Sequence, residues 1–194
     1  KGYITFGSFN DPIKVNSVVL QTWQRILTAV SNSRLLLKGR MFNAYQGVET
    51  MKNMLLEAGI ELDRVELRGF SKDYLREYWD VDIALDTFPY PGGGTTSAAL
   101  YMGVPVITLG DGSHGGDFGI SILKNIGMGA CCSYSVDEYV EKAVLLASDR
   151  ALLHDLHLQL RNIMKASPLM DKEGYMRDLE NNYRKIWQNY LQGE

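Results

Sequence analysis

The sequence has few cysteines and no CxxC pair, which excludes a fold organised by disulfides or by structural zinc. Its only two cysteines, Cys131 and Cys132, are neighbours in the sequence, so they cannot tie distant segments together. Reduced thiols of this kind are typical of a cytoplasmic protein. His154, Asp155 and His157 lie close together on a helical pattern, but they lack a further ligand. We therefore expect a solvated helix face there and no metal site.

The chain also lacks a long apolar run, a signal peptide and an excess of positive charge. Without about 18 consecutive apolar residues, no membrane span is predicted. The formal net charge of −3 and the pI of about 5.7 do not provide the basic field that nucleic acids or anionic membranes attract. The sequence begins at Lys1 without a methionine, and we interpret it as a piece of a longer protein. Its 194 residues, 45% hydrophobic and 22% charged, are typical of a globular domain.

The most informative stretch, residues 82–109, reads DIALDTFPYPGGGTTSAALYMGVPVITL. It predicts a buried strand at Ile83–Asp86, a turn with three glycines, a short helix and a second apolar strand at Val104–Leu109. A glycine-rich turn before a helix presents free N–H groups and a positive dipole end, which suits a phosphate. The hydroxyls of Thr95 and Thr96 would add uncharged donors. Alternatively, the glycines supply positive φ angles in a tight turn and the threonines cap the helix.

Strands and helices alternate along the chain, which predicts a parallel sheet with helices on both faces. The predicted strands are Ile4–Phe9, Arg34–Lys38, Val65–Leu67, Ile83–Asp86, Val104–Leu109 and a weak sixth at Met128–Ser133. Besides the short helix before Val104, the predicted helices are one capped by Asn16, then Gly47–Ala58, a helix from Ser71 to Trp79, Ile120–Ile126, Asp137–Ser148, Ala151–Lys165 and Gly174–Leu191. We expect one Rossmann-like α/β domain, with a sheet core at about residues 1–133 and a mostly helical tail at 134–194.

Ligands of such sheets bind beyond the carboxyl ends of the strands. We expect five segments to meet there: Ser8–Lys14, Lys38–Arg40, Gly69–Tyr74, Phe88–Thr96 and Gly110–Asp117. Lys14 would bring a cation and Tyr74 an aromatic face for a base, although a solvated lysine and a packed helix residue are the alternatives. The sequence has neither GxGxxG after its first strand nor a Walker lysine beside the glycines, which argues against a dinucleotide cofactor and against an NTPase.

Motifs along nearly the whole chain resemble those of one family. They are TFGSFN, the Lys14 loop before a helix containing Trp23, SRLLLK, VDIALDTFPY followed by glycines and threonines, ALYMGVPVITL, DEYV, SPLMD and LENNYRKIW. They resemble the C-terminal half of the catalytic region of O-GlcNAc transferase and SPINDLY-like glycosyltransferases. The resemblance implies the C-terminal, nucleotide-sugar-binding lobe of a GT-B glycosyltransferase. It also implies an acceptor-side lobe and tetratricopeptide repeats upstream of these residues.

The resemblance further implies an enzyme that transfers a sugar from a donor such as UDP-GlcNAc to a protein acceptor, without a metal or other cofactor. Lys14 matches the lysine that contacts the diphosphate and stabilises the departing nucleotide, and Gly93–Thr96 match the loop that holds the diphosphate. Tyr74 stands where the family usually has a histidine beside the uracil, and Gly69–Ser71 match the backbone segment that pairs with the base edge. The implied donor site therefore comprises Lys14, Gly69, Phe70, Ser71, Tyr74, Gly93, Gly94, Thr95 and Thr96.

Four positions depart from the family pattern. Ala98 stands where an acidic residue is expected to hold the ribose hydroxyls, and Pro91 where asparagine is usual. Asp117 replaces an arginine and Asp11 a glutamine, and acid near a pyrophosphate would repel the donor. A second hypothesis is therefore a degenerate lobe that acts as a protein-interaction module. A small-molecule epimerase of GT-B architecture fits the predicted fold but not the TFGSFN and SPLMD motifs. On the first hypothesis we expect the isolated chain to be inactive.

Overall fold

Six parallel strands form the sheet of the computed structural model, which describes residues 2–193. The strands are β1 (Ile4–Ser8), β2 (Ser33–Lys38), β3 (Val65–Arg68), β4 (Ile83–Leu85), β5 (Val106–Leu109) and β6 (Cys132–Ser133). Their order across the sheet is β3-β2-β1-β4-β5-β6, and every neighbouring pair is parallel. The predicted parallel α/β fold is therefore confirmed.

Eight α-helices follow the strands. They are α1 (Ser17–Ala29), α2 (Tyr45–Glu57), α3 (Tyr74–Glu77), α4 (Gly94–Tyr101), α5 (Phe118–Asn125), α6 (Val136–Ser148), α7 (Arg150–Lys165) and α8 (Lys172–Gln192) among the residues described. The chain winds from β1 toward β3 in one direction and from β4 toward β6 in the other. Because such crossovers are right-handed, α1 and α2 lie on one face, and α4 and α5 on the other.

The central strands are buried on both faces. Leu35, Leu36 and Leu37 of β2 are each at most 2% exposed, which explains why this strand reads as a continuous apolar run. Helix α1 packs over them and buries Trp23 completely. The Asn16 side chain accepts a hydrogen bond from the N–H of Val19 at 3.0 Å, which confirms the predicted N-cap.

Two predicted elements differ most from the structure. The predicted helix from Ser71 to Trp79 is only one α-turn, α3, followed by a 3-10 turn at Tyr78–Asp80. Ser71 does not cap it, because the Ser71 hydroxyl bonds to the carboxylate of Glu77 instead. The weak strand predicted at Met128–Ser133 pairs only through β6, since Gly129–Cys131 form a 3-10 turn.

Helix α8 leaves most of its apolar side chains exposed. The carboxylate of Asp171 caps it by accepting from the N–H of Gly174 at 2.8 Å, and Gly193 ends it with a φ of 76°. Its large exposed apolar side chains are Tyr175, Met176, Tyr183, Ile186, Trp187, Tyr190 and Leu191. Neither this helix nor any other in the described residues has an apolar stretch long enough to cross a membrane.

Candidate functional site: the carboxyl ends of the central strands

The site lies where the winding direction of the sheet reverses. Strands β1 and β4 are neighbours, with Phe6 opposite Ile83 and Gly7 opposite Ala84. The chain leaves them toward opposite edges, so a crevice opens beyond their carboxyl ends. The Lys14 turn follows β1 and the triple-glycine bend follows β4. The topology therefore brings together the two segments in which the sequence predicted an anion site.

Asp86, directly after β4, organises these loops. The residue is 2% exposed, and five donors surround its carboxylate. They are the Asn10 amide at 2.8 Å, the N–H groups of Gly92 at 2.7 Å and Thr87 at 3.0 Å, and the hydroxyls of Thr108 at 2.9 Å and Thr96 at 3.4 Å. Burial raises the pKa of Asp86, and these hydrogen bonds oppose the shift. The backbone carbonyl of Asp86 also accepts the Tyr139 hydroxyl at 2.8 Å, which gives the DEYV motif a structural role.

Close packing accounts for the first glycine of the bend. A Cβ on Gly92 would lie 2.4 Å from the Thr95 hydroxyl oxygen and 2.7 Å from Oδ1 of Asn10. None of the three glycines has a positive φ, and no side chain caps α4. The alternative interpretation, a turn that requires positive φ with threonine caps, is therefore wrong.

Four backbone N–H groups stay unpaired at the start of α4. They belong to Gly93, Gly94, Thr95 and Thr96, because the N–H of Ser97 makes the first helical bond, to the Gly93 carbonyl at 3.0 Å. No described residue accepts from any of the four. A Cβ on Gly93 or Gly94 would meet nothing within 4 Å, so this end of the helix borders open space. Free amides at the positive end of a helix can bind an anion.

The threonine hydroxyls differ from the prediction that they add donors to the site. The Thr95 hydroxyl donates to Oδ1 of Asn10 at 2.5 Å. The Thr96 hydroxyl bonds to Asp86, and Thr96 is 3% exposed. Both side chains hold the bend in place, which leaves only their backbone N–H groups for a ligand.

Lys14 lies against the same bend. It ends a 3-10 turn, Pro12–Lys14, in which the Asp11 side chain accepts from the N–H of Ile13 at 3.2 Å. Its ammonium donates to the Pro91 carbonyl at 3.1 Å and lies 4.4 Å from the centroid of the Tyr90 ring. The predicted convergence of Lys14 with the glycine bend is therefore present, and the alternative of a freely solvated lysine does not describe it.

A cleft of about 460 Å³ adjoins the start of α4. Tyr74 and Phe70 line it and are 42% and 51% exposed, and the Arg40 guanidinium lies 5.2 Å from the centroid of the Phe70 ring. Its walls, which do not include Lys14, are Phe9, Asp11, Lys38, Gly39, Arg40, Phe70, Tyr74, Tyr78, Gly94 and Thr95. Exposed aromatic rings beside free amides can hold a base next to a phosphate group.

The fifth predicted segment, Gly110–Asp117, folds back on itself and contributes no wall to this cleft. Oδ1 of Asp117 accepts from the N–H groups of Asp111 and Gly112, both at 3.1 Å. The negative charge of Asp117 is thus directed at its own loop. In the described residues, no group of three or more His, Cys, Asp or Glu side chains is arranged to hold a metal ion.

Comparison with known proteins assigns the family. The model for glycosyl transferase family 41 matches residues 1–179. The chain belongs to this family. It is 44% identical over its whole length to a protein of Eustoma exaltatum subsp. russellianum named probable UDP-N-acetylglucosamine–peptide N-acetylglucosaminyltransferase SPINDLY, and 41% identical to the Arabidopsis thaliana protein of that name. In both cases it spans 21% of the relative's length.

Solved structures of glycosyltransferases share the fold. A mutant of the Thermobaculum terrenum O-GlcNAc transferase superimposes with a TM-score of 0.92 at 32% identity, over 99% of this chain and 37% of that one. The sucrose-phosphate synthase of Thermosynechococcus elongatus gives a TM-score of 0.65 at 16% identity, which concerns the fold alone. The family 41 chain is thus a GT-B-like lobe with a helical C-terminal tail, as the sequence predicts.

Proposed function

We propose that this chain is the donor-binding lobe of a protein O-glycosyltransferase, and that it holds the diphosphate of a nucleotide sugar, UDP-GlcNAc. The observation that carries the proposal is that the Lys14 ammonium contacts the Pro91 carbonyl, in the same loop that continues into the unpaired amides of Gly93–Thr96. The names of the family 41 relatives support the choice of donor. Tyr74 and the Gly69–Ser71 backbone would take the base in the adjoining cleft.

The chemistry follows from charge. When the sugar leaves its donor, negative charge develops on the departing diphosphate. A fixed ammonium and oriented N–H dipoles stabilise that charge in place, so this mechanism does not call on a metal. The acceptor hydroxyl would be activated from an upstream acceptor-side lobe, with tetratricopeptide repeats before it, in the longer cytoplasmic protein. We therefore expect the isolated chain to bind the donor without transferring the sugar.

Calorimetric titration tests this proposal. We expect UDP to bind the chain, and Lys14→Ala to weaken binding about tenfold or more, because a hydrogen bond to a charged group contributes about 1.5–3 kcal/mol. Lys165→Ala, which removes an exposed lysine of α7, should leave the affinity unchanged. A parallel titration with GDP distinguishes the bases. Absence of heat at millimolar UDP and GDP, or undiminished binding by Lys14→Ala, would contradict the proposal.

A degenerate, protein-binding lobe is the second candidate. Ala98 favours it, because this side chain is a methyl group packed against the core where a ribose-binding carboxylate is expected. Its signature is a chain that binds neither nucleotide although it is folded. The Ala98→Glu variant tests this explanation. If it binds UDP and the wild-type chain does not, the missing carboxylate at position 98 accounts for the loss of nucleotide binding.

A further inference from the structure

Lys38 lies in the wall of the cleft, yet its ammonium group bonds to other residues of the protein. The side chain is 7% exposed. Its ammonium donates to the Gly69 carbonyl at 2.7 Å, to Oε1 of Glu77 at 2.7 Å and to the Ser71 hydroxyl at 3.3 Å. An ammonium has three N–H donors, so all of them have partners. Lys38 therefore has no donor left for a phosphate in this arrangement.

Glu77 supplies the opposite charge. Besides Lys38, its carboxylate accepts the Ser71 hydroxyl and lies 3.5 Å from the Arg68 guanidinium. Burial acts to raise the pKa of Glu77, but the hydrogen bonds from Lys38 and Ser71 hold it below its usual value. The carboxylate is thus ionised at neutral pH and faces the Lys38 ammonium.

Together these groups fix a short coil between β3 and α3. The carbonyl of Gly69 is held by Lys38, and the hydroxyl of Ser71 by Glu77 and Lys38. The N–H of Phe70 between them donates to Oδ1 of Asn43 at 2.8 Å. No strand or helix hydrogen bonding supports these three residues, so the side chains of Lys38, Glu77 and Asn43 replace it.

We propose that Lys38 and Glu77 are positioning residues that hold Gly69–Ser71 at the edge of the cleft and thereby determine which nucleobase it accepts. This inference rests on the proposed function, because it assigns the base to this cleft. Lys14 and Lys38 both lie close to the site, but their proposed roles differ. Lys14 acts on the diphosphate of any nucleotide, whereas Lys38 acts only through the backbone that reads the base.

Affinities for three probes distinguish these roles: UDP, CDP and inorganic pyrophosphate. We expect Lys38→Met to weaken the binding of UDP about tenfold and to bring the ratio of the UDP and CDP affinities close to one. The affinity for pyrophosphate should stay within twofold of the wild-type value. Lys14→Ala should weaken all three alike. Lys52→Met is the matched control, since Lys52 forms an ion pair with Glu49 on the surface of α2. If Lys38→Met weakens all three probes equally, Lys38 is a phosphate contact and the proposal is wrong.

Amide hydrogen exchange tests the positioning role without any nucleotide. Lys38→Met should accelerate exchange of the Phe70 N–H at least tenfold, whereas Lys52→Met should not change it. Unchanged exchange would overturn the proposal even if UDP binds. If the wild-type chain binds no nucleotide, both the proposed function and the proposed base selectivity are wrong. The hydrogen-exchange measurement would then still show whether Lys38 holds the Gly69–Ser71 coil in place.

Two further variants keep the test decisive if Lys38→Met does not fold. Glu77→Gln keeps the shape of the side chain but removes its charge, and should produce the same changes in ratio and exchange to a smaller extent. Lys38→Arg keeps the charge and should preserve most of the UDP-to-CDP ratio. An identical loss in Lys38→Arg and Lys38→Met would contradict a role for the charge.

Discussion

The Asn10 side chain joins Asp86 to the start of α4. Its amide donates to the Asp86 carboxylate at 2.8 Å, and its oxygen accepts the Thr95 hydroxyl. Since Asn10 follows β1 and Asp86 follows β4, this contact links the two central strands of the sheet to the glycine bend. The free amides of α4 are therefore fixed relative to the sheet by buried polar contacts, and not by the bend alone.

Asp86→Asn should destabilise the protein strongly. The Asp86 carboxylate accepts hydrogen bonds from five donors. In the variant, the NH₂ group of the asparagine would itself be a donor and would leave some of these donors without an acceptor. Leaving buried polar groups unpaired costs several kcal/mol, so we expect the free energy of unfolding to fall by about 3 kcal/mol. Urea denaturation followed by circular dichroism measures it. Asp137→Asn, at an exposed ion pair with Arg25, is the control, and equal small losses in both variants would contradict the role of Asp86.

Two adjacent glycines should respond differently to alanine. Gly92→Ala places a Cβ within 2.7 Å of three side-chain oxygens, and such overpacking costs about 1–3 kcal/mol. Gly93→Ala enters open space and should change stability by less than about 1 kcal/mol, since it alters only the residue that precedes α4. Thermal unfolding of the two variants measures the difference, and a lower midpoint for Gly93→Ala than for Gly92→Ala would exclude this packing.

The Lys38–Glu77 pair should make stability depend on pH. The folded-state pKa of Glu77 is lowered, so the pair stabilises the protein above the unfolded value of about 4.3. That stabilisation is lost as the pH falls through the lower, folded-state pKa. At pH 7, Glu77→Gln should therefore cost about 2 kcal/mol, because the half-buried carboxylate accepts a hydrogen bond from the Lys38 ammonium, and a hydrogen bond to a charged group contributes about 1.5–3 kcal/mol.

The difference between wild type and Glu77→Gln should narrow toward pH 3, as measured by urea denaturation at each pH. Glu49→Gln, which removes the exposed partner of Lys52, should show a small difference at both pH values. If the difference in unfolding free energy between wild type and Glu77→Gln does not change with pH, the ionised pair does not stabilise the protein and the prediction is wrong.

The thiols should be unreactive in the folded protein. Cys131 and Cys132 are 7% and 2% exposed, and burial raises the pKa of Cys131 to about 11. Because the thiolate is the reactive form, iodoacetamide at pH 8 should label Cys131 at least tenfold more slowly in native protein than in urea. Mass spectrometry of digested samples measures the labelling, and equal rates in both conditions would show that this thiol is accessible.

The sequence predicts the fold better than the details of the site. The alternation of strands and helices and the Asn16 cap are local patterns, and the structure contains both. The contact of Lys14 with the loop after β4 follows from the predicted topology, because the ends of parallel strands share one edge of the sheet; its role toward a donor stays a prediction.

The sequence places Lys38 at the same edge of the sheet, but it does not reveal the roles of Asp86 and Glu77 or the partners of Lys38. Asn10 and Asp86 are 76 positions apart, and Lys38 and Glu77 are 39 apart, so only the folded sheet reveals these partners. A buried aspartate followed by threonine at the end of a strand was the available signal for Asp86. Nothing in the local pattern distinguished Ser71 as a bonding partner of Glu77 from a helix cap.

The order of the strands has a consequence for how this family can diversify. The groups proposed to bind the diphosphate follow the two central strands, β1 and β4, whereas the coil proposed to read the base follows the edge strand β3. Substitutions next to β3 can therefore change which nucleotide is bound without altering the contacts proposed for the phosphate groups. Donor preference in relatives should therefore vary with the residues around positions 38, 43 and 77, while the machinery beside Asp86 stays constant.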